Sequence, residues 1–114
     1  MTVAASTTSV AAEQRDHEIA LLAKALGHPA RVHILRLLLS RDACYCGQIV
    51  DELPLAQATV SQHLKVLKEA GLIVGRIEGL RTCYWADRDR LAELQQLVGG
   101  LLAEAVEVDT SGCD

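Results

Sequence analysis

Apolar residues recur at helical spacing in five segments of the chain. The first predicted helix runs from about Glu13 to Leu26, where Gly27 would end it. The second begins at Pro29, a residue suited to the first turn of a helix. Its apolar stripe is predicted to be Val32, Leu35 and Leu39, with Ile34 and Leu38 beside it. So wide an apolar surface is typical of a helix at the centre of a core.

A short helix and a longer one follow, separated by the turn "PLAQ". Pro54 ends the short helix, because a residue before proline disfavours the helical conformation. Gly71 is the expected C-terminal cap of the longer helix, "QATVSQHLKVLKEAG". The apolar positions are Ile49, Val50 and Leu53 in the first and Val60, Leu64 and Leu67 in the second. Two such helices joined by a tight turn predict a helix-turn-helix unit.

The chain then changes to a pattern typical of strands. "LIVGRI" and "RTCYWA" are rich in β-forming residues and flank the turn "EGL", which predicts a β-hairpin. A helix-turn-helix followed directly by a hairpin is a winged helix. The fold class is therefore mainly α with a small β-hairpin, a winged helix-turn-helix.

The last helix is predicted from near Asp89. Gly99 and Gly100 interrupt it, so either the helix breaks there or a close neighbour compensates for the roughly 1 kcal/mol that each glycine costs. An amphipathic last helix with little left to cover predicts a dimer. Its apolar stripe is Leu91, Leu94, Val98, Leu101, Leu102 and Ala105.

A chain of 114 residues fits one small domain. We expect a disordered lead-in at residues 1–12, the winged helix at 13–106 and an acidic tail at 107–114. The N-terminus has no basic segment or long apolar run, and no segment reaches the length of a membrane span. Without an export signal, the four cysteines are expected to be reduced thiols or ligands in a cytoplasmic protein.

The net charge of −4 conceals a basic centre. Residues 24–90 contain ten Lys or Arg against seven acids, whereas residues 91–114 contain five acids and no basic residue. A DNA-binding surface would have to lie in that central part.

The longer helix of the pair carries the side chains that DNA recognition needs. Its hydroxyl and amide groups can bond base edges and phosphates, and its lysine can neutralise a phosphate. His63 could contact a phosphate or pack against the neighbouring helix, and the sequence leaves both open. The predicted DNA-binding residues are Gln57, Thr59, Ser61, Gln62, His63 and Lys65, with Arg76 and Arg81 beside the hairpin turn.

The runs "LGHPARVHILRLL", "CYC", "LAQATVSQHLKVLKEAGLI" and "EGLRTCYW" together resemble the ArsR/SmtB winged-helix repressors over roughly residues 20–95. The resemblance implies a homodimer, joined through its first and last helices, that binds operator DNA until an inducer ion or oxidant releases it. The twofold symmetry of such a dimer predicts an inverted-repeat operator. It also implies that Gln57, Ser61 and Gln62 stand at positions that contact DNA.

In this family a Cys-X-Cys box, usually written ELCVCDL, marks sensors of thiophilic metals and metalloids. Cys44 and Cys46 of "DACYCGQ" match the two thiols of the box. Gly47 replaces the Asp after the box, and Ile49 stands where arsenic sensors can carry a third cysteine. If arsenic is bound, its third ligand must therefore come from elsewhere.

Cys83 is the candidate, because residues before this helix of a winged helix commonly pair with the last wing strand. Residues i and i+2 lie about 200° apart on a helix, so two such thiols face one ion only at a strand-to-helix junction. Three thiolates at Cys44, Cys46 and Cys83 suit As(III) or Sb(III), whereas zinc usually takes four ligands and would need to recruit His17 or the tail thiol Cys113.

Two alternatives use the same cysteines differently. A thiol at a helix N-terminus oxidises readily and could pair with Cys83, which would make the protein a redox-sensing repressor. A thiol enzyme such as an arsenate reductase is disfavoured, because its phosphate loop needs Arg six residues after Cys. Here those positions hold Val50, Glu52 and Asp89.

Overall fold

The computed structural model describes residues 2–41 and 44–107, and side chains for 10–41 and 45–104. The elements in chain order are α1 (Thr2–Ala25), α2 (Pro29–Ser40), β1 (Cys44–Tyr45), α3 (Cys46–Asp51), α4 (Gln57–Glu69), β2 (Ile73–Glu78), β3 (Arg81–Ala86) and α5 (Arg88–Glu107). The three strands form one antiparallel sheet in the order β1–β3–β2, with β2 and β3 as the hairpin of the wing. The predicted winged helix-turn-helix is confirmed.

Local sequence signals fix where the central elements begin and end. The His28 imidazole caps α2 by accepting a hydrogen bond from the Ala30 N–H at 3.0 Å, and Pro29 follows in the first turn. Gly71 has φ +82° just after α4, and Gly79 has φ +65° in the hairpin turn. Both backbone conformations are strained for a residue with a Cβ atom, so glycine is required at these two bends.

The hydrophobic core lies between α2, α3, α4 and the inner face of the wing. The predicted stripe of α4 is confirmed, since Val60, Leu64 and Leu67 are fully buried. The predicted stripe of α2 is wrong in part. Ile34, Leu35 and Leu38 are the buried residues of α2, whereas Val32 and Leu39 are 37% and 38% exposed. At about 100° per residue, positions i, i+1 and i+4 share one side, and this side faces the core.

The first helix is longer than its apolar pattern indicated. It begins at Thr2 rather than near Glu13, so the stretch expected as a disordered lead-in is helical in the structure. No Gly or Pro interrupts residues 2–25, so nothing in that sequence stops the helix.

The last helix runs unbroken through Gly99 and Gly100, and a Cβ atom added at either glycine would meet nothing within 4 Å among the described residues. Its expected uncovered stripe is wrong in its first half, because Leu91 and Leu94 pack against the core of their own chain. Leu101 and Leu102 are exposed, at 46% and 60%. Among the described side chains of α5, the exposed large apolar residues therefore lie in its C-terminal half.

No helix in the described ranges is both long enough and apolar enough to cross a bilayer.

Candidate functional site

Helix α4 presents a polar surface on the side away from its buried stripe. The three anchors Val60, Leu64 and Leu67 point into the core, and the opposite side is left to solvent. Of the predicted DNA-binding residues on this helix, the exposed ones are Gln57, Thr59, Ser61, Gln62 and Lys65. Lys65 lies 4.0 Å from Glu69 one turn later, and both side chains are largely exposed. Such a pair is weak in water, so the lysine remains available to a phosphate.

His63 differs from the other predicted contacts because it is half-buried between α4 and the start of α2. Its ring lies 4.4 Å from the His28 ring, and its Nδ1 atom lies 3.3 Å from Nη1 of Arg31. Burial, and then the neighbouring His28 and Arg31, lower the pKa of His63 below its ordinary 6.5. Between the two readings left open by the sequence, these contacts favour the packing role.

The wing carries its two predicted arginines on a network of aromatic and acidic side chains. The Arg76 guanidinium lies 5.4 Å from the Trp85 ring centre and 3.3 Å from a Glu78 oxygen. The Arg81 guanidinium lies 5.0 Å from the ring centre of Tyr45, whose hydroxyl donates to Glu78 at 3.1 Å. That hydrogen bond, with the Glu78 charge, raises the pKa of Tyr45.

The junction between β1 and α3 places one predicted thiol directly against α4. Cys46 is the first residue of α3, and Gln48 supports this start by accepting a hydrogen bond from the Tyr45 N–H at 2.8 Å. The Cys46 Sγ atom lies 3.8 Å from the Ser61 Oγ atom, close enough for a weak hydrogen bond to sulfur. Cys46 also packs against the core beside Tyr84, whose pKa is raised chiefly by burial and further by the charge of Cys46. A thiol thus touches the exposed surface of α4.

The expected pairing of the residues before α3 with the last wing strand is confirmed. Its register, however, pairs Tyr45 with Cys83 and Cys44 with Tyr84. Residues directly opposite one another share a face of the sheet, so Cys83 and Tyr45 share one face and Cys44 holds a register position of the other. Cys83 is buried.

The ion site predicted at Cys44, Cys46 and Cys83 lies only partly within the residues that the structure describes. No three His, Cys, Asp or Glu side chains are grouped there for a metal ion. The side chain of Cys44 and all of Cys113 lie outside the described residues. Their roles as ligands stay predictions.

Comparison with known proteins identifies the architecture. A family model described as "Helix-turn-helix domain" matches residues 26–76. The HTH-type transcriptional regulator CmtR of Mycobacterium tuberculosis is 37% identical over 98 residues, which are 86% of this chain and 80% of that regulator. A solution structure of the homodimeric winged helix-turn-helix domain Mb0332 from Mycobacterium bovis, a possible ArsR-family regulator, is 31% identical. It aligns with a TM-score of 0.62 over 80% of this chain and 83% of that one. The chain belongs to the ArsR/SmtB family.

A further solved structure is similar to this chain. The crystal structure of a possible transcriptional regulator for arsenical resistance is 29% identical, with a TM-score of 0.62, and covers 78% of this chain and 85% of that one. The protein is thus a transcriptional regulator whose helix-turn-helix binds DNA, and α4 is its recognition helix.

Two residues that hold the recognition helix of this ArsR/SmtB regulator were missed from the sequence. Arg31 reaches His63 near the middle of α4, and Arg90 of α5 lies 3.4 Å from the Ala70 carbonyl at its end. Arg90 is also ion-paired with Glu18 of α1. Neither arginine has a distinctive spacing, because their partners include backbone carbonyls and residues far along the chain.

Proposed function

We propose that this ArsR/SmtB regulator is a cytoplasmic homodimeric repressor that releases an inverted-repeat operator when its cysteine thiolates capture As(III) or Sb(III). The ligands are Cys44, Cys46 and Cys83. The protein acts as a DNA-binding regulator and has no enzymatic role. The resemblance of its Cys-X-Cys to the metalloid box, and the arsenical-resistance name of a structural neighbour, support this signal.

The observation that carries the proposal is the contact between Cys46 and Ser61, 3.8 Å apart. Ser61 is exposed on the recognition helix, at a position expected to contact DNA. A soft ion bound to the Cys46 thiolate would replace that contact and so act directly on the DNA-binding surface. No relay through other residues is needed.

The register of β1 suggests how ion capture does mechanical work. Cys44 pairs with Tyr84, and Cys83 pairs with Tyr45. A slip of β1 by one residue moves its positions to the other face of the sheet, so three thiolates could then surround one ion. Because α3 follows β1 directly, the slip would move α3 against α4. To lower operator occupancy tenfold, the ion need favour the released form by only about 1.4 kcal/mol.

Dimerisation is supported by the apolar surface that α5 leaves open. Leu101 and Leu102 are exposed, and the groove between α1 and α5 is lined by Ile19, Leu97 and Leu101 among polar residues. A structural neighbour is described as homodimeric. Two recognition helices related by a twofold axis would read half-sites about one helical turn apart, as an inverted repeat.

A DNA-release assay with Cys46→Ser, Cys83→Ser and Cys113→Ser tests the proposal. We expect all three variants to bind operator as the parent does. As(III) should release the parent and Cys113→Ser, but not Cys46→Ser or Cys83→Ser. X-ray absorption should find three sulfur atoms around arsenic in the parent, because three thiolates complete its pyramidal coordination.

Parallel assays with Zn(II), Cd(II) and peroxide identify the signal. If peroxide releases DNA with a disulfide at Cys83, while As(III) has little effect under reducing conditions, the protein is a redox sensor and the metalloid proposal is wrong. If Cys83→Ser still responds to As(III) and Cys113→Ser does not, the tail supplies the third ligand.

A further inference from the structure

Arg31 lies where the first helix, the second helix and the recognition helix meet. It stands in the first turn of α2 and uses all three guanidinium nitrogens. Its Nε atom donates to the Ala25 carbonyl at 2.6 Å, and Nη2 donates to the Lys24 carbonyl at 3.2 Å. Its Nη1 atom lies 3.3 Å from Nδ1 of His63 on α4.

The first two contacts cap the end of α1. Carbonyls in the last turn of a helix have no partner within the helix, and a cation there also complements the helix dipole. Arg31, which belongs to α2, supplies both the hydrogen-bond donors and the positive charge. The planar fork is suited to this, because it holds several acceptors in one fixed geometry.

The third contact fixes the protonation state of His63. A guanidinium can only donate hydrogen bonds, so Nδ1 of His63 must accept and the ring must be neutral, with its proton on Nε2. The titratable and charged groups that face His63 among the described residues are His28 and Arg31, and both lower its pKa after burial. A second positive charge would meet the guanidinium donor to donor.

We propose that Arg31 is a positioning residue for operator binding, which ties the C-terminal end of α1 to His63 and so sets the angle of the recognition helix relative to the dimer interface. The inference rests on the proposed dimer, in which α1 joins the two subunits. Each recognition helix must then enter its own half-site at a fixed distance from the twofold axis. Without the Arg31 contacts, one recognition helix would still bind one half-site, but the distance between the two recognition helices of the dimer would vary.

The contact between Arg31 and His63 is also sensitive to pH, and acid is expected to break it. The lowered pKa of His63 means that the fold favours the neutral ring. The contact is therefore intact above the ordinary histidine pKa of 6.5 and is lost as the pH falls through the lowered value of the folded protein.

The test measures the distance between α1 and α4 within one chain, without operator or inducer. Spin labels would be introduced at exposed Ala20 and Ala58 as noncanonical amino acids, and labelled protein diluted with unlabelled protein so that only one labelled chain occurs in each dimer. We expect a narrow distance distribution in the parent and a broader one in Arg31→Met. Arg31→Lys keeps the charge but not the fork, so it should be intermediate. Arg36→Met, which removes an exposed arginine of the same helix, should match the parent.

Acid supplies a readout that a purely structural role would not move. As the pH is lowered below 6.5, the parent distribution should broaden, whereas His63→Asn should not respond, because its amide oxygen accepts from Arg31 and does not titrate. Circular dichroism would confirm that helical content is unchanged. Arg31→Met should bind a full operator about tenfold more weakly, with its affinity for an isolated half-site changed less than about twofold.

An Arg31→Met distribution as narrow as that of the parent would overturn the proposal. So would an equal response of parent and His63→Asn to acid. Neither result depends on arsenic or on operator sequence, so a failure of the proposed inducer would not be mistaken for a failure of this tie.

Discussion

The recognition helix and the thiol-bearing junction lie side by side, yet they are held very differently. Helix α4 has thirteen residues and three fully buried anchors. The junction consists of the two residues of β1 and the six of α3, and Ile49 is the buried residue among the side chains described there. A well-anchored element resists displacement, whereas a short element with few buried contacts opens at low cost.

This difference suits the proposed function, in which the protein both recognises DNA and responds to an inducer. The surface that selects DNA has to keep its shape, because hydrogen bonds to base edges depend on geometry. Under the proposed function, the element that binds the inducer has to move. Cys46 joins the two regions through its contact with Ser61. The fold thus combines a firmly anchored DNA-binding helix with a less firmly anchored junction that carries the proposed ligands.

Removal of the second subunit should have the largest effect, because it should weaken operator binding while As(III) binding persists. Leu101→Glu with Leu102→Glu places charges on the exposed apolar surface of α5 and should yield a monomer. Operator affinity should fall about a hundredfold or more, because two half-sites are no longer engaged together. As(III) binding should persist, because all three proposed ligands belong to one chain. Sedimentation, DNA titration and thiol quantification measure the three quantities.

The matched control for this variant is Ala92→Glu with Ala103→Glu. Both alanines are exposed and lie off the apolar stripe of the same helix. The control should remain dimeric and bind operator. An unchanged dimer in the leucine variant would place the interface elsewhere.

Truncation inside each region compares how firmly it is anchored. Leu64 of α4 is 1% exposed, and Leu64→Ala should lower the free energy of unfolding by roughly 2–5 kcal/mol. Val50 of α3 is half-buried, and Val50→Ala should lower it by about 1 kcal/mol or less. Denaturant unfolding at one protein concentration measures both. Equal losses of unfolding free energy in the two variants would show that the junction is as firmly anchored as α4.

Much of the fold follows from local spacing, and the exceptions have physical causes. The stripe of α4 and the turns at Gly71 and Gly79 are local signals, so they were predicted. The start of α1 was missed because a run of Ala, Ser, Thr and Val has no strong periodicity and contains no residue that stops a helix. The buried side of α2 was misassigned because most residues of "VHILRLLL" are apolar. Periodicity alone therefore could not select one side of the helix.

The candidate site was predictable where it follows from an exposed helix face and not where it depends on register. Subtracting the apolar stripe of α4 leaves the polar set that the structure exposes. The pairing of β1 with β3 was also predicted, but a shift of one residue decides which face a cysteine occupies. Arg31 could not be recognised, since two of its partners are backbone carbonyls that carry no sequence signal.

The smallest effects should divide the reading surface itself into residues that select sequence and residues that only bind. Gln62 is exposed on α4 and its amide can bond a base edge, so Gln62→Ala should reduce discrimination between operator and altered sequence by about 1–3 kcal/mol. Lys65→Ala should weaken binding to all sequences alike and reduce the salt slope by about 1, because one phosphate contact is lost. Fluorescence titrations at several salt concentrations, on operator and scrambled DNA, separate the two.

The control for both variants is Gln95→Ala, an exposed amide on α5 rather than on the recognition helix. It should change neither discrimination nor salt slope. If Gln62→Ala and Lys65→Ala both bind like the parent, another surface reads DNA. If Gln62→Ala instead weakens operator and scrambled DNA equally, the amide bonds a phosphate, and sequence selection must come from its neighbours Ser61 and Gln57. Selection by Ser61 would tie it directly to the signal, since the same hydroxyl that contacts Cys46 would be reading the operator.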